Sequence, residues 1–229
     1  MANLLIVDAS SSLCSVSLIA DDRIISLEER QPRRHAQRLL PLVDDVLAQA
    51  GVARQALDGL AFGRGPGSFT GIRIALSMVQ GIALGLDIPV LGVSSLEMLA
   101  SARADQEGAS VVAIMNAHMG ELFWGQYRIS NGQAVLSGVE KVGAAELCVQ
   151  DLADFRGEYL GNGVALLPNQ AEVSTSADVI EPLASFVAPR VKQAWEQGEF
   201  SGIENHPPVY LRDSVAWKKL DEQPSLLKR

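Results

Sequence analysis

Residues 63–73, with the sequence GRGPGSFTGIR, have the clearest chemical potential in the chain. The glycines and Pro66 break regular structure between a short apolar run and a long helical pattern, and Ser68 and Thr70 can cap that helix. A glycine-rich turn at a helix N-terminus presents free N–H groups to anions such as phosphate. The Walker lysine is missing and Pro66 interrupts the dinucleotide fingerprint. Two alternatives therefore stay open, a phosphate-binding loop and a tight turn without a ligand.

Asp8 follows the first predicted strand, at the end where α/β folds place ligand-binding groups. There a carboxylate can hold Mg²⁺ on the phosphates of ATP or ADP, at an interlobe or subunit site. The alternatives are a solvated turn acid and no cofactor at all, because Asn116 stands at the matching place in the second half. The nucleotide hypothesis involves these residues: Asp8, Ser10, Gly65, Gly67, Ser68 and Thr70.

The other chemistry-bearing residues do not form an active-site pattern. The three histidines, His35, His118 and His206, form no His-x-x-x-His pair and lie near no cysteine, so we predict no metal site. The hydroxyls of Ser68 and Thr70 are better explained as helix caps than as nucleophiles. The sequence therefore predicts no catalytic residue.

Composition narrows the class of protein. The chain has 229 residues and a net charge of −8, which disfavours strong binding to nucleic acid by this chain alone. Cys14 and Cys148 are isolated and the N-terminus lacks a basic signal region, so we expect a cytoplasmic protein. We expect the helix over 70–86 to fall short of a membrane span because it contains Arg73, Gln80 and several glycines.

That helix has almost no polar face. A helix that is apolar all round must be covered all round, so we expect another chain to pack against it and against a preceding helix over 35–50. Arginines around His35 form a basic cluster on an acidic chain. The cluster has two interpretations, a solvated helix start and a surface for an acidic partner or for RNA phosphate.

The order of elements indicates the fold. Apolar and turn patterns predict βββαβαβα within about the first hundred residues, and a degraded copy follows the polar break at 103–108. We expect lobes at 1–103 and 104–229, with an extended tail at 206–212. Duplicated βββαβαβα lobes are the layout of the two-lobed actin/Hsp70/hexokinase (ASKHA, RNase H-like) α/β fold, in which nucleotide lies between the lobes.

Seven segments together resemble the TsaB (YeaZ) family. They are 8–10 (DAS), 35–41 (HAQRLLP), 63–73 (GRGPGSFTGIR), 92–96 (GVSSL), 119–124 (MGELFW), 208–212 (PVYLR) and 215–219 (VAWKK). The run at 116–118 departs from the commoner Asp-Ala-Arg. The resemblance implies a non-catalytic bacterial subunit for making N6-threonylcarbamoyladenosine beside the tRNA anticodon. It implies pairing with the catalytic paralogue TsaD through the two N-terminal helices, with the ATPase TsaE joining, and a homodimer when the chain is alone.

Three functions remain as hypotheses. The first is a scaffold that docks and activates TsaD, meeting tRNA through the complex. The second is an independent ATPase or kinase that uses Asp8 and the glycine-rich loop, and the third is a metallopeptidase. For the scaffold we predict an interface of these residues: His35, Arg38, Leu39, Leu42, Val46, Arg73, Leu76, Val79, Gln80 and Ala83.

Overall fold

A computed structural model describes residues 2–21, 23–30, 34–168 and 181–212. Its first sheet has the strand order β3-β2-β1-β4-β5. β2 runs antiparallel to β1 and β3, whereas β4 is parallel to β1 and to β5. The strands are β1 (Leu4–Asp8), β2 (Leu13–Ala20), β3 (Arg23–Arg30), β4 (Gly59–Gly63) and β5 (Val90–Val93). Residues 178–180 and the polar end beyond 212 lie outside the described residues.

The second sheet repeats the order as β10-β6-β7-β8, and β9 also pairs with β7. Its strands are β6 (Ser110–His118), β7 (Glu121–Ser130), β8 (Gln133–Leu136), β9 (Lys141–Ala144) and β10 (Glu158–Leu160). The antiparallel β6–β7 pair corresponds to β1–β2, and the parallel β10–β6 pair corresponds to β4–β1. The predicted two-lobed actin/hexokinase-like α/β fold is confirmed. The sequence pattern predicts a single strand over 133–142. This prediction is wrong, because Gly138 has φ +95° and the chain divides there into β8 and β9.

Five α-helices are described: α1 (His35–Ala50), α2 (Phe69–Leu86), α3 (Ser95–Ala100), α4 (Ala145–Asp151) and α5 (Ala188–Glu196). α1 and α2 share a core with one face of the first sheet, and α5 covers the other face. The sequence pattern predicts a helix from about 182 to 197. The segment begins instead as a 3₁₀ turn (Ala184–Val187), and α5 starts where Pro189 fits the first turn. The boundary between two lobes at residue 103 stays a prediction. α5 lies after this boundary in the sequence but packs on the first sheet.

The alternation of apolar residues with Ser15 and Ser17 predicts a half-buried strand, but this prediction is wrong because β2 is buried on both faces. Ser15 and Ser17 are buried together with the apolar residues between them. The Ser15 hydroxyl accepts a hydrogen bond from the Ala184 N–H at 2.9 Å, and Ser17 bonds to Ser26 at 2.8 Å. Their covering layer comes from residues 184–196, far away in sequence, which the local alternation of β2 does not reveal.

α2 is long and apolar enough to cross a membrane when judged by length and composition alone, contrary to the expectation from the sequence. It is the one such helix among the described residues. In the fold, however, a stripe of α2 packs into the core of the first sheet: Ala75, Val79 and Ala83 belong to that core, and Ile72 is buried as well. A packed helix of a globular core meets the same length criterion.

Candidate functional site

The glycine-rich loop joins β4 to α2 and is bonded to three neighbouring segments. The Arg64 N–H donates to the Val93 carbonyl at 2.9 Å, and the Ser95 N–H donates to the Gly65 carbonyl at 2.9 Å. The Ser68 N–H donates to the Ser10 carbonyl at 2.7 Å, which ties the loop to the β1–β2 turn. The chain itself therefore uses several of the polar groups that a phosphate would need.

Two glycines allow this close approach. A Cβ at Gly67, which has φ +154°, would overlap the Ser10 carbonyl oxygen, and a Cβ at Gly71 would overlap that of Ala9. The Ser68 hydroxyl then caps α2 by accepting from the Gly71 N–H at 3.2 Å. Thr70 lies exposed in the first turn. The residues predicted to bind nucleotide thus share one junction, and their binding role stays a prediction.

Asp8 has no exposed surface, so the alternative of a solvated turn acid is wrong. One carboxylate oxygen accepts from the Ser10 N–H at 3.2 Å and from its hydroxyl at 3.1 Å. The other carboxylate oxygen, Oδ1, has no hydrogen-bond partner among the described residues. Burial raises the pKa of Asp8 to about 7, against the lowering effect of the Ser10 bonds. A magnesium ion could reach this carboxylate only after the surrounding segments move apart.

Glu181 is a site residue that the sequence interpretation missed. Its carboxylate accepts from the hydroxyls of Ser11 and Ser12, each at 2.7 Å, and from Arg30 at 2.8 Å. Burial alone would raise the pKa of Glu181, but these bonds outweigh burial and lower it. Glu181 therefore fixes the β1–β2 turn from a position about 170 residues away. Local spacing carries no signal for such a contact.

Metal donors are not gathered in the described ranges. No group of three or more histidine, cysteine, aspartate or glutamate side chains there is arranged to hold a metal ion. Asp8 and Glu181 are close enough for the charge of Glu181 to raise the pKa of Asp8, but Glu181 is occupied by Ser11, Ser12 and Arg30. Asp8 and Glu181 therefore stabilise the turn between β1 and β2.

A shallow apolar groove of about 560 Å³ lies between α1 and α2. Phe69 is 54% exposed and Leu40 is 41% exposed, which is unusual for large apolar side chains next to each other on a surface. The groove is lined by Ala36, Leu39, Leu40, Phe69, Thr70, Arg73, Ile74, Ser77 and Met78. It gives the molecule an open apolar face on the two helices that pack against the first sheet.

The predicted interface residues divide by burial. Leu39, Leu42, Val46, Val79 and Ala83 pack in the core of the first sheet. His35 is also buried and bonds to the Ser11 carbonyl at 3.1 Å. Arg38 pairs with Glu29 at 2.7 Å, Leu76 and Gln80 are half-buried, and Arg73 is exposed. The buried members support α1 and α2 from beneath, and their contact with a partner stays a prediction.

The outer face of α2 carries small residues at a four-residue spacing. Ser77, Gly81 and Gly85 are exposed, and a Cβ added at either glycine would meet no atom within 4 Å. Leu84, beside them, is 75% exposed. Residues four apart lie on one side of a helix, so this stripe is a shallow channel that another helix can approach closely.

Three side chains form a stack at the N-terminal end of that face. The Arg73 guanidinium lies 3.2 Å from the Phe69 ring centre and 5.1 Å from the Tyr210 ring centre. The two rings are 5.8 Å apart, and both are exposed. Phe69 and Tyr210 were not predicted as site residues; an aromatic residue one turn before Arg73 was the available signal for Phe69.

Comparison of the sequence with known proteins shows the family to which the chain belongs. The family model of TsaD, tRNA N6-adenosine threonylcarbamoyltransferase, matches residues 27–205. The tRNA threonylcarbamoyladenosine biosynthesis protein TsaB of Escherichia coli is 37% identical over 225 residues, covering 95% of this chain and 97% of that protein. The chain belongs to the TsaB family. TsaB of Haemophilus influenzae is 33% identical over 229 residues, covering 95% of this chain and 96% of that protein.

A solved structure agrees with the TsaB assignment. YeaZ from Pseudomonas aeruginosa superposes with a TM-score of 0.83 at 41% identity, covering 92% of this chain and 100% of that chain. The family resemblance drawn from the seven sequence segments is therefore confirmed.

Proposed function

We propose that this chain is a non-catalytic accessory subunit for N6-threonylcarbamoyladenosine formation in tRNA, and that it docks onto the catalytic paralogue TsaD through α1 and α2. The observation that carries the proposal is the open apolar face of α2 in a chain of the TsaB family. Large exposed apolar patches on a globular protein mark interaction surfaces.

The similarity to the TsaD family model supports the choice of partner. Two chains of one fold present equivalent helix pairs, so the α1–α2 face of one can pack against the same face of the other in a pseudo-twofold arrangement. The same face allows a homodimer when the chain is alone. TsaE joins the assembly in this proposal, and the cytoplasm is its compartment.

The charge of the chain supports an indirect contact with tRNA. A net charge of −8 disfavours phosphate binding, so tRNA is held mainly by the other subunits. The buried state of Asp8 and the internal hydrogen bonds of the glycine-rich loop favour a structural role for this junction over turnover of nucleotide.

Replacement of Leu84 tests the docking face directly. Leu84 is 75% exposed, so Leu84→Asp should leave the fold intact. Burial of a leucine contributes roughly 2 kcal/mol, and placing a carboxylate in an apolar contact costs more, so we expect at least about a tenfold loss of affinity for TsaD. The measurement is retention of TsaD from the same organism by the tagged chain.

The matched control is Leu166→Asp, which places the same charge on an exposed leucine in a 3₁₀ turn of the second lobe (Val164–Leu166). This control should retain TsaD like the unaltered chain. Equal retention by Leu84→Asp, with the same melting temperature, would contradict docking through α2.

A further inference from the structure

Residues 206–212, here called the strap, cross from one lobe to the other. At the first lobe the ring nitrogen Nδ1 of His206 accepts from the Gly92 N–H at 3.1 Å, and the Val209 N–H donates to the Arg64 carbonyl at 2.8 Å. Burial and the charge of Arg64 lower the pKa of His206, which favours the neutral ring that this acceptor role requires. The strap is therefore bound to β5 and to the start of the glycine-rich loop after β4.

The other end of the strap is fastened to the second lobe. Leu211 packs against the core that contains β6 and β7. The Arg212 guanidinium donates to the Ala117 carbonyl at 3.1 Å and to the carboxylate of Glu121. These two residues flank the turn between β6 and β7, so Arg212 anchors the strap at the edge of the second sheet.

Glycines in the first lobe make room for the strap. A Cβ at Gly65 would lie 2.7 Å from the Val209 carbonyl oxygen, and a Cβ at Gly92 would lie 3.1 Å from the His206 Cβ. Both distances are shorter than ordinary van der Waals contact. Gly65 also has φ +100°, so both its backbone conformation and its closeness to the strap disfavour a side chain at this position.

Between its two anchors the strap holds Tyr210 against the docking face. The Tyr210 ring forms one side of the stack with Arg73 and Phe69, at the N-terminal end of α2. The Phe69 ring lies against the guanidinium and the Tyr210 ring lies beside it, and because Arg73 is exposed its N–H edges remain accessible from outside. Within the described residues no hydrogen-bond or ion-pair acceptor contacts Arg73, so a carboxylate or carbonyl oxygen from outside can take those edges.

We propose that the strap couples docking on α2 to the second lobe: Tyr210 is part of the docking surface, Arg73 binds an acidic or carbonyl group of the partner, and Arg212 acts as a positioning residue that holds Tyr210 in place. This inference rests on the proposed function, since the partner is the one that docks on the α1–α2 face. Loss of the anchor frees Tyr210, and the guanidinium loses one of its two ring contacts.

The test compares the affinity of TsaD from the same organism for four variants of the full chain. Arg212→Ala removes the distant anchor and Tyr210→Ala removes the stacking ring; each is expected to weaken binding about fivefold or more. Tyr210→Phe keeps the ring and should restore most of the affinity. The matched control is Arg128→Ala, which removes an exposed arginine from β7 of the same lobe and should bind within about twofold of the unaltered chain.

Each outcome decides between the two proposals. If the unaltered chain does not bind TsaD, the proposed function fails. If it binds and Arg212→Ala binds equally well, the function stands and the coupling fails. If Arg212→Ala does not fold, hydrogen exchange of the unaltered chain tests the coupling instead. Binding of TsaD should slow hydrogen exchange at 117–121 and 209–212 as well as in α2. Protection confined to α1 and α2 would overturn the coupling.

Discussion

Gly81→Leu is expected to weaken binding to TsaD by about tenfold to a hundredfold and to leave the chain as stable as before or more stable. A Cβ at position 81 meets no atom within 4 Å and the position is exposed, so a side chain there can extend into open space. Within an exposed helix, replacing glycine gains roughly 0.5–1 kcal/mol. Extra methylene groups in a closely packed contact cost roughly 1–3 kcal/mol, which gives the expected loss of affinity.

This variant is informative because its affinity for TsaD should fall while its stability is kept or increased. Binding is measured by titration calorimetry with TsaD, and stability by chemical denaturation of the single chain. The matched control is Ala165→Leu, which adds similar bulk at an exposed position of the 3₁₀ turn Val164–Leu166 and should bind normally. Unchanged binding by Gly81→Leu would show that no helix approaches the channel formed by Ser77, Gly81 and Gly85.

Asp8→Asn should change the pH dependence of stability. The folded pKa of Asp8, about 7, is raised from 3.8, so the folded state holds its proton at pH values where the unfolded state has lost it. Stability from this group is complete below pH 4 and is lost as the pH rises to 7. Three pKa units correspond to roughly 4 kcal/mol. Asparagine cannot ionise, so the variant lacks this loss.

The measurement is the difference in unfolding free energy between Asp8→Asn and the unaltered chain from pH 4 to pH 8. The difference should move by roughly 4 kcal/mol in favour of the variant as the pH rises. Taking a difference removes Glu181, whose lowered pKa acts with the opposite sign by losing stability as the pH falls. A difference that stays flat across this range would show that Asp8 ionises freely in the folded chain.

Local patterns were sufficient where neighbours in sequence decide the structure. The apolar stripe that ends at Gly51 predicts a helix over 35–50, and α1 has these bounds. Asn131 and Gly132, both with positive φ, form the predicted hairpin between β7 and β8. Ser68 caps α2 as its position after the glycines indicates. The family segments lie on these same elements.

Distant contacts could not be predicted. The second face of β2 is covered by residues 184–196, and the β1–β2 turn is held by Glu181. Neither contact leaves a pattern near the strand it affects. Tyr210 joins Arg73 only because the strap crosses the glycine-rich loop. Such contacts depend on which distant segments the fold brings together, and the local spacing of residues in one sequence does not indicate this.

The sequence also could not show which side of α2 faces a partner. Because α2 is apolar nearly all round, its sequence does not distinguish the stripe that faces the sheet from the stripe that faces outward. The structure places Ala75 and Val79 inward and Ser77, Gly81 and Leu84 outward. Several residues predicted for the interface therefore belong to the core, and the exposed set replaces them in the proposal.

Formation of N6-threonylcarbamoyladenosine on tRNA is the most direct test of the accessory role. TsaD, TsaE and the other components from the same organism are supplied with tRNA, and the modified nucleoside is measured with no TsaB-family chain, with the unaltered chain and with Leu84→Asp. Product is expected only with the unaltered chain. Equal product without the chain, or equal product with Leu84→Asp, would contradict this expectation.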